Sequence, residues 1–204
     1  LYQSRAFRRT RNLAFSMRTS KEIVHANVYN RAFNSSYVGG DGVELLSLLH
    51  PTVNGNQENE LTTAADLSET ALEDLIIKMY GAKNGRGLQI PVKPQTLVVH
   101  RNDWFEANRI LKSVLQNDTA NNAINALRAT NALPGGVKMN HYLDDTDAWF
   151  IRTNIVNSLI SFQREDIIFD EDNDGDTKNM KYNAYERYIA FWADWRGLYG
   201  SPGA

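Results

Sequence analysis

The sequence contains no cysteine. That absence excludes a disulfide scaffold, cysteine-ligated zinc, thiolate catalysis and iron–sulfur clusters, and it suits a reducing compartment. No apolar run approaches the ~18 residues of a membrane span, and the opening Leu-Tyr-Gln-Ser-Arg carries no signal-peptide pattern. A soluble, intracellular protein with no membrane partner is therefore expected, and a chain that starts with Leu rather than Met reads as processed or partial. Reaction signatures are lacking too. There is no G-x-S-x-G elbow, no phosphate loop and no dinucleotide fingerprint. The four histidines, His25, His50, His100 and His141, lie too far apart in sequence to set two rings on one helical face. No cofactor, metal or catalytic residue is called for.

What is present is ordinary globular composition, with 42% apolar and 23% charged residues over 204 positions and a net charge of −2. The charge is unevenly spread. Residues 1–33 hold seven basic side chains (Arg5, Arg8, Arg9, Arg11, Arg18, Lys21 and Arg31) against Glu22, a local +6 that leaves −8 for the rest. Such asymmetry points to a basic element that meets an anionic surface, most simply nucleic acid, with a solvated arginine-rich helix face as the plain alternative.

Residues 4–33 contain neither Gly nor Pro, and Leu13, Met17, Val24, Val28 and Ala32 recur at helical spacing. One helix of about 25 to 30 residues follows, too long for a compact globule of this size. Gly39-Gly40-Asp41-Gly42 is expected to end it, and residues 43–66 read as loop. A second helix should start near Asp66 or Ser68, with Asp66 and Glu69 as a capping box, bury Leu72, Leu75, Ile76 and Met79, and stop at Gly81. Thr96–Val99 reads as a buried strand, followed by a helix capped by Asn102 and carrying Phe105, Ile110, Leu111 and Val114. A short helix spans about Asn122 to Ala129. Two hairpins are expected after it, Val137–Leu143 with Ala148–Thr153 around Asp144–Asp147, and Leu159–Phe169 with Lys178–Ala193 around an Asp-rich turn.

That second turn mimics a calcium loop at Asp170, Asp172, Asp174 and Gly175, but Lys181 stands where the closing Glu belongs, so a type I′ turn at Asp174-Gly175 is the better reading. Gly81–Gly87 reads as a connector, Asp144, Asp145 and Asp147 as solvated turn acids, and the sequons at Asn34 and Asn117 as chance. On the last long strand Tyr182, Ala184, Glu186, Tyr188, Ala190 and Trp192 share one face. Lys181, Asn183, Tyr185, Arg187, Ile189 and Phe191 share the other. Faces that mix aromatics with charges suit a subunit interface, and Tyr185, Arg187, Tyr188, Trp192, Trp195 and Arg196 are the candidates for it. Arg5, Arg8, Arg9 and Arg11 are the candidates for facing DNA.

Lys21–Phe33, Gly39–Gly42, Asp66–Glu69, Arg109–Ser113, Asn140–Phe150, Glu186–Tyr188 and Arg196–Ala204, with Trp192 and Asp194, are segments whose order and content resemble the major capsid proteins of tailed bacteriophages with the Hong Kong 97 fold. The resemblance implies an α+β chain divided into a spine helix and peripheral segment (1–67), an axial α/β domain (68–155) and peripheral return strands with the C-terminus (156–204). It also implies pentamers and hexamers of an icosahedral shell around double-stranded DNA, assembled in the host cytoplasm into a virion, with scaffolding, portal and decoration proteins as further partners. The family's N-terminal arm and extended loop have no counterpart in this sequence, and no cross-linking motif is visible. The alternatives are a soluble α/β enzyme or nucleic-acid-binding domain, and a nanocompartment shell around protein cargo.

Overall fold

A computed structural model describes residues 2–116, 123–177 and 179–204, with side chains from residue 8 onward. Freed of Gly and Pro, the amino-terminal stretch forms α1 (Tyr2–Asn30), a rod of about 43 Å at 1.5 Å per residue. It does not run to the glycines. The chain leaves the helix at Arg31, and Gly39–Gly42 form a separate tight turn in which Gly39 N–H donates to Val43 (2.8 Å) and Gly42 takes φ +81°. The stretch read as loop contains a short hairpin, β1 (His50–Thr52) and β2 (Gly55–Gln57). Its two-residue connection Val53-Asn54 is too brief to register as hydrophobic periodicity.

Ser68, not Asp66, caps α2 (Glu69–Tyr80): its hydroxyl accepts from Ala71 N–H at 3.2 Å, while Asp66 accepts from the Ala204 amide. The stripe Leu72, Leu75, Ile76 and Met79 is buried, and Gly81 closes the helix by donating to Ile77 and Lys78. Strand β3 (Pro94–Val99) leads into α3 (Trp104–Lys112), which starts one residue later than Asn102 implies, with Asp103 at the cap position and no side-chain cap bond. Ile110 is buried, but Phe105 and Val114 face solvent, so the apolar spacing overstates this helix's buried stripe. Helix α4 is Ala126–Ala129; the earlier start at Asn122 and the sequon at Asn117 lie outside the described residues.

The strands β4 (Val137–Met139) and β5 (Trp149–Thr153) are not partners. β3 lies between them, parallel to β4 and antiparallel to β5, and β8 (Leu198–Ser201) completes a four-stranded sheet in the order β4-β3-β5-β8. The reason is burial. Leu97–Val99 of β3 and Trp149–Ile151 of β5 are buried on both faces, so these two strands take the centre side by side, and the segment between β4 and β5 crosses β3 instead of turning back. Residues 198–201, in the third segment of the sequence division, thus supply an edge strand to the sheet of the middle segment. Leu97, Val99, Trp149 and Ile151 share one face of the sheet, while Val98 and Phe150 point to the other, where Tyr29 of α1 and Phe33 just after that helix pack on Phe150.

The remaining element is a long hairpin, β6 (Leu159–Asn173) and β7 (Met180–Trp192), with register shifts near Gln163, Glu165 and Ile168. Its strands reach roughly 43 to 50 Å at 3.3 Å per residue. The turn is not type I′, since Gly175 is not among the residues with positive φ. The loop is longer than two residues, with Asp174 N–H donating to Asn179 across it and Asp174 Oδ1 accepting from Asp176 N–H. Asp170 and Asp172 sit in paired strand, opposite Asn183 and Lys181, and not in a loop that could wrap an ion.

Candidate functional site

α1 crosses the base of the hairpin at two successive turns. Lys21 Nζ donates to Gln163 and pairs with Glu186 at 3.3 Å, and it stands 5.1 Å above the Tyr188 ring. One turn on, His25 Nδ1 donates to the Lys21 carbonyl, Nε2 lies 2.7 Å from Ser161 Oγ, and the imidazole stacks on Tyr188 at 6.0 Å. Since residues four apart on a helix stand one above the other, a single helix face grips Ser161 and Gln163 of β6 with Glu186 and Tyr188 of β7. The opposite face of the hairpin is bare. Phe162 opposite Ile189 and Ile168 opposite Tyr185 form an apolar row on it, each side chain half exposed or more, with Asp170 and Asp172 farther out.

The six interface candidates therefore separate by position. Tyr185 and Arg187 lie on the bare face, with Arg187 4.0 Å from Glu165. Tyr188 lies on the face α1 covers. Trp192 rests on Gly39, where a Cβ would come within 1.9 Å of its ring. Trp195 is buried in its own chain, stacked on His50 at 4.3 Å. Arg196 lies over Trp195 and donates through Nε to the Lys83 carbonyl at 2.9 Å and through a guanidinium nitrogen to Asp194 at 3.2 Å.

Of the arginines, Arg8, Arg9 and Arg11 are exposed on α1, and the Arg5 side chain lies outside the described residues. Sequence reasoning missed Phe15, which is 73% exposed between Arg11 and Arg18. Its spacing gave a signal: Arg8, Arg11, Phe15 and Arg18 recur at three, four and three, and so form one stripe. The stripe ends at the mouth of a groove of about 670 Å³ between α1, the sheet and the hairpin base, lined among others by Phe15, Arg18, Val98, Arg152, Ile160 and Phe191.

The Asp-rich tip is held by charge, because the bond from Lys181 keeps the Asp174 carboxyl below its usual range, helped by the Asp176 amide. Among the described residues no group of three or more His, Asp and Glu is placed to hold a metal ion, and no helix is long and apolar enough to cross a membrane. Asp144 is occupied by Asn30 of α1, which donates to its carboxylate at 2.9 Å and to the Tyr142 carbonyl at 3.0 Å.

An exposed stripe on a helix and an exposed apolar row on a projecting ribbon are the surfaces of a protein that works by contact with other molecules. The comparison with known families agrees: a family model described as "Phage capsid protein" matches residues 6–201, and the chain belongs to that family of bacteriophage structural proteins. No curated protein matches it. Among solved structures it is similar to a virus-like particle from Pyrococcus furiosus, at 13% identity and a TM-score of 0.46 over 70% of this chain and 55% of that one. It is also similar to a chain from Mycobacterium phage Che8, at 17% identity and a TM-score of 0.43 over 70% and 52%. The chain thus spans about half the length of these two structures.

Proposed function

We propose that the chain is the major capsid subunit of a bacteriophage head, built on the Hong Kong 97 plan, whose copies close as pentamers and hexamers into an icosahedral shell around double-stranded DNA. The observation that carries this reading is the family match over residues 6–201. The shape supports it. A subunit that must touch several neighbours needs elements that reach beyond its own core, and α1 and the β6–β7 hairpin are such elements. In this reading α1 is the spine, the sheet with α2 and α3 lies around the capsomer centre, and the hairpin is the peripheral return. The role is mechanical and not enzymatic, with assembly in the host cytoplasm and the virion as the final location. Scaffolding, portal and decoration proteins are its further partners.

Negative-stain microscopy and light scattering on the chain expressed with its natural upstream sequence test the reading. Closed particles of uniform diameter are expected. A protein that stays monomeric at high concentration overturns it.

A further inference from the structure

The bare face of the β6–β7 hairpin and the arginine stripe of α1 are complementary, yet they cannot meet within one chain. Lys21 and His25 fix α1 against the face that carries Ser161, Gln163, Glu186 and Tyr188. The row Phe162, Ile168, Tyr185 and Ile189 lies on the other face by strand alternation, turned away from its own helix. An apolar row this exposed on a paired ribbon calls for cover, and the described residues of its own chain do not supply it.

Charge names the molecule that covers it. Residues 164–181 hold seven acids against Arg164, Lys178 and Lys181, and Asp166, Asp170, Glu171, Asp172 and Asp176 make no ion pair among the described residues. On α1, Arg8, Arg11 and Arg18 likewise make none, and α1 itself holds no acid before Glu22. Each surface has an aromatic or aliphatic centre, Phe15 among the arginines of the helix stripe, and Ile168 with Tyr185 in the hairpin, where Arg187 and Lys181 are already paired with Glu165 and Asp174 and leave Asp170 and Asp172 unpaired among the described residues. The lengths also match, about 43 Å of helix against roughly 43 to 50 Å of ribbon. DNA on the arginine stripe would leave both the apolar row and the hairpin acids without partners, whereas a second copy satisfies all three.

We propose that the outward face of the β6–β7 hairpin in one copy docks on the Arg8–Arg11–Phe15–Arg18 stripe of α1 in a second copy. Phe15 enters the apolar row, and the arginines meet Asp170 and Asp172, which alternate onto the same face. The contact joins two different patches, so it is head-to-tail and passes from copy to copy, as closed rings and larger arrays require. It rests on the shell reading above and specifies which surfaces carry it.

Two charge-reversed proteins test the contact: Arg8→Glu with Arg11→Glu and Arg18→Glu, and Asp170→Lys with Asp172→Lys. Each alone should retain the wild-type circular dichroism and lose particle yield by about tenfold or more, because like charges then face each other. Combined in one chain, the two sets should restore assembly, since every copy then presents on each surface the sign that the other surface needs. If either variant assembles like the wild type, or the folded protein carrying both sets assembles no better than each alone, the proposal fails while the shell reading stands. An arginine variant that assembles normally but no longer retains DNA assigns the stripe to nucleic acid and also overturns it. A wild-type chain that never assembles removes the shell reading and the contact together. The absence of cysteine offers a check that needs no charge reversal: the double substitution Phe15→Cys and Ile168→Cys should give links between copies with a short bis-maleimide. Links formed only within a chain, or none, overturn the contact.

Discussion

Asn59 is completely buried, and every polar atom of its amide is used. Its Oδ1 accepts from Ser47 N–H (2.9 Å) and His50 Nε2 (3.0 Å), and its Nδ2 donates to the carbonyls of Leu45 (2.7 Å), Leu198 (3.0 Å) and Trp195 (3.2 Å). His50 carries the network on to Asp41 through Nδ1 at 2.7 Å, so one side chain ties the glycine turn, the β1–β2 segment and the C-terminal strand together. Asn59→Ala strands several buried donors and acceptors at once and should cost about 2 to 4 kcal/mol, read from the urea midpoint. Its neighbour Glu60 makes stability depend on pH. Burial raises its pKa above the ordinary 4.5, Glu44 raises it further, and Lys78 only partly offsets them. The folded state therefore holds the proton more tightly than the unfolded one, and stability falls as the pH climbs from 4.5 through the raised value. Glu60→Gln should melt at a higher temperature than the wild type at pH 7, and the gap should close below pH 4.5. Neither role can be read from residue type, since Asn59 and Glu60 fall in a polar tract that resembles loop.

At the scale of elements, what was legible is what local physics decides. The Gly- and Pro-free stretch gave α1, the Leu72–Met79 stripe and Gly81 gave α2, and the long alternating runs on either side of the Asp-rich turn gave β6 and β7. Strand order was not legible. β4 and β5 flank a good turn sequence, but pairing is settled by which strand is buried on both faces, and that depends on partners far along the chain. The same gap hid the partner of Tyr188, because alternation shows that a face is covered without showing by what. The covering element is α1. Tyr188→Ala removes the ring under Lys21 and His25 and should cost about 1 to 3 kcal/mol. Hydrogen exchange should quicken in β7 and in the middle of α1 while β3 and β5 stay protected. Uniform loss of protection would show that the hairpin and the sheet unfold as one unit.

For the whole molecule, the imbalance of +6 against −8 was visible by counting, but its use depends on where the acids gather, and the fold collects many of them on one projecting ribbon. Aromatics near the C-terminus looked alike in sequence and serve different ends. Trp195 completes the core against His50, whereas Tyr185 stands on the bare face with half its surface exposed. Truncating the two should therefore separate folding from assembly. Trp195→Ala opens a large cavity and should lower stability by about 3 to 5 kcal/mol, with particle loss as a consequence of unfolding. Tyr185→Ala loses no buried packing in its own chain and should change stability by no more than about 0.5 kcal/mol. Its particle yield should nonetheless drop, because an aromatic at the centre of an interface typically contributes about 2 kcal/mol or more to the contact. Thermal melts beside sedimentation of the assembled fraction distinguish the two. Equal stability and equal yield for Tyr185→Ala and the wild type would show that the bare face stays uncovered in the particle.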